Sequence, residues 1–153
     1  MSGERKAQKT TPHAQKPLSI STRRLSLLPM TLNLRPDHFT ILTDDLAATE
    51  QFYTDLLGFT PGPRPEMSRP GIWLYSGGKP ILHVIQVEAL PEPRRGVLDH
   101  MAFRGEGMED LIAALKARGM DYRLIKTPEP WQQWQLFFEG PSGEKVEVDF
   151  GNL

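Results

Sequence analysis

The sequence predicts an α+β fold built from two tandem modules, each a strand, a helix and then a meander of strands. Three observations predict it. The chain repeats itself: His38 to Gly58 spans 20 residues and His100 to Gly119 spans 19, and both stretches run from an alternating segment into a helical one. Apolar residues change period within each half, from two to about three and a half. Glycine stands where each helix must stop.

In the first half, HFTIL (38–42) alternates as a half-buried strand does. Thr43, Asp44 and Asp45 are capping residues ahead of LAATEQFYTDLLG, in which Leu46, Phe52, Tyr53, Leu56 and Leu57 fall near one helical face before Gly58. The prolines of PGPRPEMSRPG (61–71) mark a loop, and IWLYSGGKPILHVIQV reads as two strands joined at Gly77 and Gly78. In the second half HMAF (100–103) begins a strand. Met108, Leu111, Ile112 and Leu115 are then spaced i, i+3, i+4, i+7, with Gly119 closing the helix. WQLFFEGPSGEKVEVDF gives two more strands around Gly140 to Gly143, and ALPEPRRG (89–96) links the halves. The modules are set at residues 35–88 and 97–151.

Residues 1–34 form a segment of different composition. Residues 1–30 hold six basic side chains against Glu4, a net of +5, which leaves −6 for the remainder of a chain whose formal charge is −1. With no sustained apolar period and three prolines, this stretch is expected to be a disordered basic tail. Its basic, acid-poor character also suits organelle targeting, and Met30 is an alternative start. The near-neutral total charge points away from nucleic acid and membrane surfaces as partners. The chain has no cysteine, which excludes disulfides and thiolate ligands and is compatible with the cytoplasm. Any metal must therefore be held by histidine and carboxylate.

His83 is the anomaly in the apolar strand PILHVIQV. Superposing the halves places it opposite Glu147: His83 follows His38 by 45 residues, and Glu147 follows His100 by 47. Strand alternation puts His38 with Thr40, His100 with Ala102 and Arg104, and Glu147 with Lys145 and Asp149, each opposed by apolar residues. His83 joins this polar face, with Ile81 and Ile85 beside it. Each residue alone reads as an ordinary core or surface side chain. Together, three imidazoles and a carboxylate on one sheet face suit Fe, Mn, Ni, Co or Zn as a divalent ion, with positions left for a chelating substrate.

The segments DHFTILTDDLAATEQFYTDLLGF, LDHMAF and GPSGEKVEVDF resemble the vicinal oxygen chelate superfamily, which includes glyoxalase I, methylmalonyl-CoA epimerase, fosfomycin-resistance transferases, bleomycin-resistance proteins and extradiol dioxygenases. The resemblance covers essentially everything after residue 35. It implies two βαβββ modules forming a cupped mixed sheet with helices on the outer face. It also implies metal ligands at His38, His100 and Glu147, with His83 where glyoxalase I carries another carboxylate, and a homodimer whose sites draw ligands from both chains. The implied activity is that of a metal-dependent isomerase or lyase acting on a small oxygenated substrate, with Glu147 as the catalytic carboxylate. The alternatives are an Fe(II) extradiol dioxygenase using His38, His100 and Glu147 with His83 beside the substrate, and a metal-free binding protein of the bleomycin-resistance kind. Trp131, Trp134, Tyr75 and Arg104 are the expected substrate-binding residues. Trp73, Phe138, Gln132, Gln133, Arg64 and Arg69 stand in nearby strands and loops.

Overall fold

In the computed structural model, which describes residues 34–94 and 96–151, the first half opens with β1 (Phe39–Thr43). Thr43 turns the chain toward the coming helix. Its buried Oγ1 accepts from the Asp45 N–H at 3.0 Å and meets Thr49 Oγ1 at 2.7 Å. The Asp45 carboxylate accepts from the Ala48 N–H at 2.9 Å and caps α1 (Leu46–Leu57). Gly58, at φ 67°, ends α1 in the left-handed region, with its N–H and that of Phe59 donating back to the Thr54 and Tyr53 carbonyls.

Three strands follow: β2 (Thr60–Gly62), β3 (Gly71–Ser76) and β4 (Lys79–Gln86). The predicted loop over 61–71 thus begins as a short strand, pairing Thr60–Gly62 with Trp73–Tyr75. Three residues are too few to show alternation. Pro61 is tolerated because β2 lies at the sheet edge, where a missing N–H costs no ladder bond.

The second half repeats the order with β5 (Met101–Arg104), α2 (Met108–Ala117), β6 (Tyr122–Lys126), β7 (Trp134–Glu139) and β8 (Lys145–Phe150). The strands form two mixed four-stranded sheets of identical topology, β1-β4-β3-β2 and β5-β8-β7-β6, in which the first pair is parallel and the others antiparallel. This is the predicted α+β architecture of two βαβββ modules. The cross-strand register repeats as well: Thr40 faces His83, which faces Trp73, in the first sheet, and Ala102 faces Glu147, which faces Phe137, in the second.

One apolar core serves both modules. Leu74, Leu82 and Val84 of the first sheet, Met101, Leu136, Phe138, Val146, Val148 and Phe150 of the second, and Tyr53, Phe59 and Leu115 are all buried in a single cluster. Each of the fully buried members contributes about 1.5–3 kcal/mol through the apolar area it removes from water. Contacts of α1 and its C-terminal end bind the halves together. Phe52 meets Phe138 at 6.2 Å between ring centres, Phe59 meets Phe103 edge-on at 5.3 Å, and the Tyr53 hydroxyl donates to Glu144 Oε1 at 2.8 Å. Because both sheets give their apolar faces to this core, alternation turns their polar faces away from it. Among the described residues no helix is long and apolar enough to cross a membrane, and the expectations for residues 1–33 lie outside those residues.

Candidate metal centre

On the first sheet the polar face carries a stack of three rings. His83 lies between His38, whose ring centre is 3.8 Å away at 18°, and Trp73, at 4.0 Å and 4°. The His38 Nδ1 is 2.7 Å from Asp37 Oδ2. The His83 Nε2 is buried and has no hydrogen-bond partner. Burial first, and then the neighbouring His38, hold the His83 imidazole below its usual basicity, so the ring is neutral near pH 7.

The second sheet carries a hydrogen-bonded chain. The Lys145 ammonium pairs with Asp99, and Asp99 Oδ2 lies 2.8 Å from His100 Nδ1. His100 Nε2 is 2.6 Å from Glu147 Oε2. The Gln135 amide donates to Glu147 Oε1 and, at 3.2 Å, to Asp149 Oδ1. Phe137 stands edge-on to His100 at 5.8 Å, beside an open depression of about 780 Å³ lined also by Tyr122, Arg123 and Lys145. Hydrogen bonds from Lys145 and then His100 hold Asp99 below the usual carboxylate range, so Asp99 accepts and the His100 Nδ1–H donates. Glu147 is 3 % exposed, and its pKa is raised, first by burial and then by Asp149. With Nδ1 turned to Asp99, Nε2 of His100 faces the Glu147 carboxylate.

These donors fit a divalent metal. The Nδ1 contacts to aspartate would leave Nε2 of His38 and of His100 free to hold a metal, a carboxylate-oriented arrangement common in metal sites. The close approach of His100 Nε2 and Glu147 Oε2 marks a position that a cation could hold. Among the described residues of one chain, however, no three histidine or carboxylate groups gather around a common point. The four expected ligands are brought together as two pairs, His38 with His83 and His100 with Glu147.

The expected substrate-binding residues are scattered. The Tyr75 hydroxyl donates to the Pro63 carbonyl at 2.6 Å and pins that loop. Arg104 lies on the polar face opposite Asp149, but its guanidinium donates to the Gly151 carbonyl at 2.8 Å. Trp131 is 60 % exposed in the turn before β7. Trp134 opens β7 and pairs with buried Phe150, so it shares the face of Leu136 and Phe138, away from Glu147, with the Lys126 ammonium 5.5 Å from its ring centre. Ile81 also departs from expectation. The register slips between Leu74 and Tyr75, leaving Ile81 as the extra residue of a bulge that packs against the core, while Ile85 keeps its place. The residues that sequence reasoning did not single out are Asp37, Asp99 and Gln135. A signal for the first two was present, since the dipeptide Asp-His recurs at 37–38 and 99–100.

Residues 35–148 match the model of the Glyoxalase/Bleomycin resistance protein/Dioxygenase superfamily. Glyoxylase I 4 of Arabidopsis thaliana is 30% identical over 118 residues, covering 73% of this chain and 68% of that protein. A glyoxalase family protein of Enterococcus faecalis superposes with a TM-score of 0.55 at 27% identity, covering 73% of this chain and 94% of the other. The fold is also shared with the fosfomycin resistance protein FosX of Listeria monocytogenes, at a TM-score of 0.62, 15% identity and coverage of 80% and 97%. With the repeated βαβββ topology, these matches establish that the chain belongs to the Glyoxalase/Bleomycin resistance protein/Dioxygenase superfamily.

Proposed function

We propose that this protein is a divalent-metal-dependent enzyme of isomerase or lyase type, acting on a small substrate that binds through two neighbouring oxygens. The observation that carries the reading is the His100–Glu147 pair at 2.6 Å, with His100 fixed from behind by Asp99. His38, held in the same way by Asp37, supplies the third donor. Since each chain offers its donors as two pairs on faces turned from the core, the reading includes a homodimer. Each site then joins the His38 face of one chain to the His100 and Glu147 face of its partner. Fe, Mn, Ni, Co and Zn all suit such a set, and supply decides among them.

The metal, when bound, supplies Lewis-acid stabilisation of charge developing on a substrate oxygen. The other work belongs to side chains. Glu147, with one oxygen fixed by Gln135, is the side chain assigned in this reading to accept and return a proton during an isomerisation. Phe137 and Trp73 give the two faces aromatic walls. The likeness to Glyoxylase I 4 supports the lyase class. Where glyoxalase I carries two carboxylates this chain has one, which directs the reading to relatives of that reaction.

A second reading follows from the donor set itself, since two histidines and one carboxylate are also the ligands of Fe(II) oxygenases. Protein purified without chelators, analysed for metal and assayed for isomerisation of α-hydroxy thioesters and hemithioacetals and for oxygen uptake with catechols, separates the two. The proposal expects about one metal per chain, loss of metal in Glu147→Ala and no oxygen uptake. Oxygen uptake selects the dioxygenase. Protein that lacks metal, and whose ligand binding is unchanged in His38→Ala and Glu147→Ala, is a binding protein.

A further inference from the structure

The ring stack on the first sheet assigns His83 a part that its equivalence with Glu147 conceals. We infer that His83 is a positioning residue that sets the ring plane of His38 by stacking, and that it is not itself a metal ligand. The inference rests on the metal reading above for the role of His38, and on geometry alone for the stack.

An imidazole binds a metal in its own ring plane, through the nitrogen lone pair. At a nitrogen–metal distance of about 2.1 Å, the ion lies about 3 Å from the ring centre. The His38 and His83 planes are inclined by 18° with centres 3.8 Å apart, and at the contact separation of about 3.5 Å that stacked rings keep they meet about 11 Å from those centres. No ion can lie in both planes at bonding distance while the stack persists, and only one of the two rings can serve.

Three observations select His38. Its Nδ1 is held by Asp37 as His100 Nδ1 is held by Asp99, which frees Nε2 in both. It occupies the register position equivalent to His100, two residues before Thr40 as His100 stands two before Ala102. His83, by contrast, is closed in by His38 on one face and Trp73 on the other, at 3.8 and 4.0 Å, and its hydrogen bond is to the Pro80 backbone and not to a carboxylate. Trp73 is itself fixed by strand pairing to His83, so the stack runs from β3 through β4 to the residue just ahead of β1 and ties His38 to the sheet. The first module thus replaces the carboxylate of the second with an aromatic support.

The test compares His83→Phe, which keeps a stacking ring and removes both nitrogens, with His83→Leu, which removes the ring, and with His38→Ala. Co²⁺ affinity is measured by titration calorimetry and the ligand field by the visible spectrum of the Co²⁺ protein. Stacking support predicts that His83→Phe binds Co²⁺ within about threefold of wild type with an unchanged spectrum, that His83→Leu binds about tenfold more weakly, and that His38→Ala loses binding by a hundredfold or so. If His83→Phe loses as much affinity as His38→Ala and its spectrum changes, His83 is a ligand and the inference is overturned. A second arm needs no metal. The His38 ring protons of the metal-free protein should show an upfield ring-current shift that survives in His83→Phe and disappears in His83→Leu. Wild-type protein that binds no Co²⁺ sinks the proposed function, while absence of the upfield shift in wild type sinks the stack.

Discussion

Replacing Tyr53 with phenylalanine removes one oxygen atom and tests how the two modules are held in register. Tyr53 is fully buried, and its hydroxyl donates to Glu144 Oε1 at 2.8 Å across 91 residues of sequence. Burial and the Glu144 charge keep the Tyr53 hydroxyl protonated at every accessible pH, so it is always the donor. The other Glu144 oxygen receives the Ser142 N–H at 3.0 Å. Phenylalanine keeps the ring contacts with Phe52 and Phe59, so the loss is the hydrogen bond alone. A bond to an ionised carboxylate is worth about 1.5–3 kcal/mol, and one to a neutral carboxyl about 1 kcal/mol. Burial raises the Glu144 pKa above its ordinary 4.5, and the Tyr53 bond opposes that rise. A carboxyl whose folded pKa is raised contributes stability that is complete below its unfolded pKa and is lost as pH climbs through the folded value. Tyr53→Phe removes a group that favours the ionised form, so the loss with rising pH becomes deeper. Urea unfolding should show the variant about 1 kcal/mol below wild type near pH 4.5, and about 1.5–3 kcal/mol below once the pH is high enough to ionise Glu144, a midpoint shift of roughly 1 M with an unchanged slope. The double variant with Glu144→Gln should be strongly non-additive. Equal losses at both pH values, or additive ones in the double variant, would refute the argument.

Four other substitutions probe the scaffold and the site. Asp99→Asn leaves His100 Nδ1 facing a neutral amide and releases Lys145, so Co²⁺ affinity measured calorimetrically should fall about 10–100-fold with the fold intact. Asp37→Asn should cost less, because Asp37 has a 91% exposed side chain and holds His38 alone; equal effects would show that the longer chain adds nothing. At Gly71 an added β-carbon would land on the Val84 carbonyl oxygen, part of the β4 backbone that cannot move without disturbing its neighbour His83. Gly71→Ala should therefore cost about 1–3 kcal/mol and change the Trp73 fluorescence, and a variant of wild-type stability and spectrum would show that the β3–β4 pair yields easily. Leu136→Ala, at a fully buried position of the shared core, should cost about 2–5 kcal/mol by chemical denaturation, and a loss below about 1 kcal/mol would mean that the core collapses around the gap.

Which parts of this molecule could be read from sequence follows from the range over which each signal acts. The helices were legible because their determinants are local: Asp45 caps α1 and Gly58 ends it within hydrogen-bonding distance of their own neighbours. The matched placement of His83 and Glu147 was legible because both modules keep the same register. Face assignments failed where one residue changed the count. The bulge at Ile81 turns that side chain to the core. The division of the donors into two pairs is a tertiary fact, since alternation shows which face a residue occupies and nothing about which faces meet. The Asp-His contacts show the subtlest limit. Along a strand, adjacent residues point to opposite sides, so strand logic forbids Asp37 from reaching His38 or Asp99 from reaching His100. Both dipeptides lie immediately before their strands, which begin at Phe39 and Met101, and there the alternation does not yet hold. The irregular backbone lets each aspartate lie 2.7–2.8 Å from the ring of the histidine that follows it. The start of the strand then carries that histidine into line with the polar face, so the donor is fixed by the junction between irregular chain and sheet.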